Sequence, residues 1–242
     1  MSGILNGNVT SNGRLTFGPS VVTDNLVLYL DAGNSLSYPG SGDIWSDISG
    51  NGSNATLLNG PTFSNDNCGV IIFDSADDMA TIPYNDNFNL CSVSDWTISV
   101  WIKLNDTDGS FNSIISQWEQ VLPGDAWLLN HSNGTVGFIW APYDVNGNMF
   151  ASDTPLIVGD WTNVVLVKSG SDFSLYQNTN LVGSFNNSGT KSVTYQVELG
   201  RYGGSGSYIG AQYSTVMIQH KALSIPEIKQ NYDSIKSRYG IS

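Results

Sequence analysis

Apolar positions in this chain recur at short intervals and seldom at helical spacing. The run LVLYLDA (26–32) is almost continuously apolar, and GVIIFDS (69–75) repeats the form. WTISVWIKL (96–104) alternates, with Trp96, Ile98, Val100 and Ile102 on one face and Thr97, Ser99, Trp101 and Lys103 on the other. Successive side chains of a strand point to opposite faces, so this alternation predicts a half-buried strand. The same reading places strands over 54–60, 113–119, 126–132, 135–141, 161–170, 172–178, 181–185, 197–202 and 213–223. Gly, Asn, Asp or Pro stands at nearly every junction. HSNGT (131–135) and YQNTNL (176–181) read as hairpin turns, WAPYDVNGNMF (140–150) as a long loop, and GRYGGSGSYIG (200–210) as a flexible hairpin tip. Many short strands with tight connections predict an all-β fold, a two-sheet antiparallel β-sandwich.

One helix is predicted, at the end. Ser224 is its N-cap and Glu227 stands three residues on, the spacing of a capping box, with Pro226 in the first turn. Ile225, Ile228, Tyr232, Ile235 and Tyr239 share one stripe, and Gly240 stops the helix, giving a short C-terminal helix over 225–239 that packs back on the sandwich. Residues 1–24 differ from the rest, being rich in Asn, Gly, Ser and Thr with only short apolar clusters. They read as an arm that needs a partner surface to become ordered, while 25–242 form the sandwich.

Composition narrows the partners. Charged residues make up 12% of the chain, against roughly 25% in soluble domains generally. The net charge is −12 with nine basic residues, scattered rather than clustered, so nucleic acid is not an expected partner. No long apolar run predicts membrane insertion, and the first twenty residues lack the charged and apolar regions of a signal peptide, so synthesis in a cytoplasm is expected. Two cysteines, Cys68 and Cys91, make no disulfide framework, and each reads as a small buried residue.

The loop WSDISGNGSN (45–54) opens like a calcium loop. Asp47, Ser49, Asn51 and Gly52 follow a D-x-S-x-N-G pattern in which alternate oxygen side chains turn towards one cation. The bidentate Glu of an EF-hand is missing, because Leu58 stands in its place. Two readings stand. The loop is a turn built from residues that bond their own backbone, or it is part of a calcium shell that Asp31 or Asp77 completes. No cofactor is required, and calcium is the one ion these residues suit.

Glycoside hydrolysis needs two carboxylates flanking the scissile bond. Glu119, Glu198 and Glu227 are the only glutamates, and none has a second acid two or four positions away. Neither His131 nor His220 has a nucleophile elbow beside it. A non-enzyme is expected. Raw material for glycan binding is present instead, since sugar C–H faces stack on aromatic rings and hydroxyls are met by short amides. Trp118, Tyr143, Asn146 and Asn148 are the candidates, whereas Trp127 and Trp140 read as core.

In order, LVLYLDAGNSLSYPGSGDIWSDISGNGSNATLLNGPTF, FDSADDMATI, DWTISVWIKL, DWTNVVLVKSGSDFSLYQN and YSTVMIQHKALSIPEIKQNY resemble a LamG-like domain of the concanavalin A-like lectin/glucanase fold, over about residues 24–241. The resemblance implies a jelly-roll sandwich whose members bind carbohydrate, bind calcium at the rim or mediate protein contacts. The opening and closing motifs are similar to those of tailed-bacteriophage proteins. That implies a non-catalytic virion component, a fibre, tail appendage or capsid decoration, made in the host cytoplasm. It would contact other virion proteins through its arm, associate as a homo-oligomer and display a lectin-like face to cell-surface glycans. A carbohydrate-binding module of a cellular protein is the alternative, and a glycoside hydrolase the third reading. The family's FDG-x-x-D motif is here Phe73-Asp74-Ser75-Ala76-Asp77-Asp78, without the glycine.

Overall fold

The structure, a computed structural model, describes residues 7–9, 15–17, 19–107, 111–118, 126–141, 148–189, 193–203 and 206–242. The strands in chain order begin with β1 Gly7–Val9, β2 Leu15–Phe17, β3 Leu26–Asp31, β4 Ile44–Trp45, β5 Ala55–Leu58 and β6 Thr62–Ser64. Then come β7 Val70–Asp74, β8 Met79–Ile82, β9 Asp95–Leu104, β10 Phe111–Gln117, β11 Ala126–Ser132 and β12 Thr135–Ala141. The last are β13 Asn148–Pro155, β14 Trp161–Ser169, β15 Asp172–Gln177, β16 Asn180–Asn186, β17 Val197–Leu199 and β18 Gly210–Gln219. The helix α1, Ile225–Ile235, and a 3-10 turn, Lys236–Tyr239, follow. None of the described helices is long and apolar enough to cross a membrane.

The strands form the expected antiparallel sandwich. Sheet I runs β13-β12-β11-β10-β17-β8-β5-β4, and sheet II runs β16-β15-β14-β9-β18-β7-β6 with β3 also on β18. The long β18 serves two neighbours on one edge: β7 pairs with Gly210–Tyr213 and β3 with Thr215–Gln219. The change of partner falls at Ser214, whose carbonyl accepts from the Ala32 amide at 2.9 Å. Between the sheets lies one apolar core that includes Trp45, Trp96, Trp127, Trp140, Phe138 and Phe173. Tyr213 spans it, donating from its hydroxyl to the Ile114 carbonyl at 2.8 Å. The hairpin turns at Asn133-Gly134 and Asn178-Thr179 have positive φ at both central residues, the twist-matched geometry that joins adjacent antiparallel strands.

Several expectations need correction. β9 is not half-buried, because Thr97, Ser99 and Trp101 are buried along with the core-facing residues. The cause is α1 and the chain end, which lie on the outer face of sheet II. There Trp101 stacks on Tyr232 at 5.4 Å and 17°, and contacts Tyr239 at 4.5 Å. Within the helical stripe Ile228 and Ile235 are buried, but Ile225 is 52% exposed in the first turn, before the helix meets the sheet. The segment 200–210 is not a hairpin tip, since β17 belongs to sheet I and β18 to sheet II, so it crosses between layers. The segment read as one long loop over 140–150 enters a strand at Asn148. Of the two cysteines Cys91 is buried but Cys68 is exposed, on a turn where its φ is 69°.

The stretch before β3 is tied to the helix. Gln230 Nε2 donates to the Ser20 carbonyl at 2.7 Å, the Val22 amide donates to Asn231 Oδ1 at 2.7 Å, and Lys221 pairs with Asp24 at 3.1 Å. Val21 and Val22 pack against the apolar clusters beneath α1. Farther out, β1 and β2 pair only with each other, as a two-stranded sheet of their own.

Candidate functional site

A bulge in β10 creates the site. Simple alternation over NSIISQW would put Ser113, Ile115 and Gln117 on one face and Ile114, Ser116 and Trp118 on the other. The pairing with β11 instead shifts register between Ser113 and Ile115. Ile114 and Ile115 both enter the core, and the phase of the strand changes by one residue. Ser113, Ser116 and Trp118 therefore share the outer face of sheet I. Gln117 points inward, accepting from Trp127 Nε1 at 2.9 Å and donating to the Tyr195 carbonyl at 2.7 Å.

Register completes the floor. Ser113 pairs with Asn130, and Ser116 with both Leu128 and Glu198. Glu198 in turn pairs with Thr81. Asn130 lies flat across Gly137 on β12, where an added Cβ would stand 2.8 Å from Asn130 Oδ1, so this position admits only glycine without displacing the amide. The polar floor is deeply buried: Ser113 and Ser116 are 0% exposed, Glu198 1% and Asn130 3%. Leu128 is also buried, yet it belongs to none of the apolar clusters that fill the sandwich or underlie the helix. Buried polar atoms are almost always hydrogen-bonded. Here Glu198 Oε2, Asn130 Oδ1 and Ser113 Oγ have no hydrogen-bond partner among the described residues. The other carboxylate oxygen of Glu198 accepts from Gln196 Nε2 at 2.8 Å.

An aromatic wall stands beside this floor. Gly200, at φ +82°, turns the chain off β17, and a Cβ there would meet the Phe73 ring at 2.6 Å. The Arg201 carbonyl then accepts from Ser116 Oγ at 2.9 Å, fixing the turn to β10. Tyr202 sits edge-on to both Phe111, at 5.7 Å, and Trp118, at 6.0 Å. Trp118 is half-buried. The Arg201 guanidinium lies 5.6 Å from the Tyr208 ring and 3.5 Å from the Met79 sulfur. Chemically, the arrangement sets buried hydrogen-bond acceptors beside a half-buried aromatic ring.

Of the other glycan-binding candidates, Tyr143 and Asn146 lie outside the described residues. Asn148 is on β13, opposite Trp140. Trp127 and Trp140 are in the core.

The calcium candidates do not converge. Asp47 Oδ1 accepts from the amides of Tyr29 and Ser49, both at 2.9 Å, and Oδ2 from Ser49 Oγ at 2.8 Å and the Ser53 amide at 3.0 Å. Asn51 Nδ2 donates to the Leu26 carbonyl at 2.9 Å. The loop is thus wired inward as a turn, with the Asp47 oxygens engaged by donors, and it does not fit a cation. Asp31 borders the same depression as Asp47, but its carboxylate forms a two-pronged ion pair with Arg238, at 2.6 and 2.9 Å. Asp77 is elsewhere, on the β7–β8 turn with Asp74 and Asp78, where one oxygen of each lies within 4.8 Å of the others. The Ala76 amide holds the Asp74 carboxyl below its ordinary range, whereas burial pushes Asp78 up. Three carboxylates suit a hard cation by charge, but calcium takes six to eight oxygens, and Asp78 Oδ2 already accepts from the Asp74 amide at 3.0 Å.

A cleft of about 790 Å³ lies on the other side of the molecule, between Trp161, Tyr232, Tyr239 and Leu181. Two of its amides are spent on backbone: Gln177 Nε2 donates to the Thr154 carbonyl and Asn178 Oδ1 accepts from the Asn163 amide, both at 2.8 Å. The sheet I floor, with acceptors unmet, is the stronger site. Sequence reasoning singled out Trp118 but neither Ser113 nor Glu198. Two adjacent isoleucines inside an alternating strand were the available sign of the bulge.

The sequence matches no curated protein. The fold is similar to the binding domain of Paraclostridial Mosquitocidal Protein 1, with a TM-score of 0.69 and 19% identity over 88% of this chain and 52% of that one. It is similar to the receptor binding domain of botulinum neurotoxin C/D mosaic serotype, at 0.68 and 17% over 87% and 51%. It is also similar to Trypanosoma rangeli sialidase, at 0.68 and 14% over 96% and 36%. The chain thus spans about half the length of the two toxin domains and about a third of the sialidase. At these identities the likeness is one of fold. A family model, Laminin_G_3, matches residues 74–229. That match takes in more than half of the chain, and the protein belongs to this family of the concanavalin A-like lectin/glucanases superfamily.

Proposed function

We propose that the protein is a non-catalytic glycan-binding domain whose site is the outer face of sheet I, between Trp118, Tyr202 and the floor of Ser113, Ser116, Asn130 and Glu198. The observation that carries this is the set of three buried polar atoms on this face without a hydrogen-bond partner among the described residues, beside a half-buried tryptophan. A sugar supplies what both parts lack: hydroxyl donors for the floor and a C–H face for the ring. The two toxin domains, one titled a binding domain and one a receptor binding domain, agree with a recognition role for this fold. Catalysis is disfavoured by the acids available. The floor strands β8, β10, β11, β12 and β17 carry Glu198 as their single acid, and hydrolysis needs two. The test is a glycan array probed with the wild-type chain and Trp118→Ala. The proposal expects discrete hits that the variant loses by about tenfold or more, as for removal of a stacking ring at a hot spot. Equal binding by both would overturn it.

The biological setting we propose is a virion, with the sandwich displayed and the N-terminal segment holding it to other virion proteins. The separate β1–β2 pair, joined to neither sandwich sheet, supports this. Side-chain-resolution imaging of particles tests it. The reading expects residues 1–18 against a different protein, and it falls if no particle contains the chain.

A further inference from the structure

We infer that the sheet I site selects uncharged, hydroxyl-rich glycans and rejects acidic ones; this rests on the glycan-binding reading and adds the ligand's charge to it. The argument starts from the character of the unmet atoms. Glu198 Oε2 and Asn130 Oδ1 are acceptors, and Ser113 Oγ either donates or accepts. A ligand that satisfies them must bring donors. Hydroxyl groups do so, but a carboxylate has none and would be set against Glu198.

The charge around the floor points the same way. Glu198 lies in the middle of the floor, paired across the sheet with Ser116 on one side and Thr81 on the other. Gln196 meets one of its oxygens, and the other is buried without a hydrogen-bond partner among the described residues. Burial strengthens the effect, because a charge at 1% exposure is weakly screened by water and salt. Arg201 is the one base on the adjoining turn, and its guanidinium is held against the Tyr208 ring and the Met79 sulfur. The chain as a whole carries −12, so the long-range field also opposes an anionic ligand. Like-charge contact is a common device by which a site excludes wrong partners.

The experiment compares matched oligosaccharides that differ only in charge: hexose chains, the same chains with hexuronic acid units, and neutral glycans with and without a sialic acid cap. Affinities are measured by calorimetry on the full chain and on Glu198→Gln, which keeps the shape of the side chain and removes its charge. We expect the wild type to bind the neutral member at least about tenfold more tightly, a difference of about 1.4 kcal/mol. In Glu198→Gln that ratio should fall to about threefold or less, with the thermal midpoint recorded to show that the variant folds. The wild-type comparison stands without the variant. Equal or tighter binding of the acidic member by the wild type overturns the inference but leaves glycan binding intact. An unchanged ratio in a folded Glu198→Gln removes Glu198 as the cause and overturns it too. Binding of neither member, together with an empty array, overturns the glycan-binding reading and the inference with it.

Discussion

Arg238→Ala should be among the most damaging single substitutions outside the sandwich core. The Arg238 guanidinium reaches back from the 3-10 turn to Asp31 on β3, with nitrogen–oxygen distances of 2.6 and 2.9 Å. The side chains are only 15% and 3% exposed, so solvent screens the pair little. Removing one partner of a buried ion pair costs about 3–5 kcal/mol, because the other charge stays behind in low dielectric. Asp31 keeps two donors, the Gly33 amide at 2.9 Å and the Tyr29 hydroxyl at 3.2 Å, which favours the lower end of that range. A loss of about 3 kcal/mol lowers the unfolding midpoint of a domain this size by about 6–12 °C. Urea unfolding of the wild type, Arg238→Ala, Asp31→Asn and the double variant forms a cycle. The coupling should exceed about 1 kcal/mol, since the double variant leaves no unpaired charge. Arg238→Ala within about 0.5 kcal/mol of wild type, the range of ordinary surface changes, would refute the reasoning.

Other outcomes follow from the same geometry. Trp101→Ala removes the ring that Tyr232 and Tyr239 pack on, so it should cost about 3–5 kcal/mol and raise amide exchange in α1 more than in sheet I. Asp47→Ala strips four hydrogen bonds from the 45–54 loop and should cost about 1–3 kcal/mol, while added calcium leaves the wild-type midpoint unchanged if the loop is a turn. Glu227 has its carboxyl lowered to about 2 by Lys221 and by the amide and hydroxyl of Ser224. Its folded value lies below the ordinary 4.5, so its contribution is present above about pH 4.5 and lost as pH falls through about 2. Its side chain is 25% exposed, which limits the effect to about 1 kcal/mol; Glu227→Gln should flatten that part of the acid-unfolding curve, and an unaltered curve would remove the assignment.

The sandwich was legible because its signals are local. LVLYLDA, WTISVWIKL and WTNVVLVKS each carry enough apolar residues to specify a strand, and Asn133-Gly134 specifies a turn by backbone conformation alone. The short strands β4, β6 and β8 were missed because two to four residues carry no usable period. Burial of Thr97, Ser99 and Trp101 depends on a helix more than 120 residues later, which no pattern within β9 reports; Trp101 on the polar face was the one local sign. Of the proposed site, the sequence pattern singled out Trp118 as a candidate. Ser113, Ser116, Asn130 and Glu198 come from three strands and share a face only through a one-residue register shift and two long-range pairings. The metal candidates are engaged by other partners for a related reason. Asp31, Asp47 and Asp77 have ligand chemistry, but partners distant in sequence, such as Arg238, decide what each does.

The most direct measurement is a chemical-shift titration of the isotope-labelled chain with the strongest neutral glycan from the array. The account predicts that the perturbed amides map to Ser113–Trp118, Leu128–Asn130 and Val197–Tyr202, with the Trp118 indole among them. Perturbations confined to Trp161, Asn178 and Tyr239, the cleft on the other side of the molecule, would contradict it.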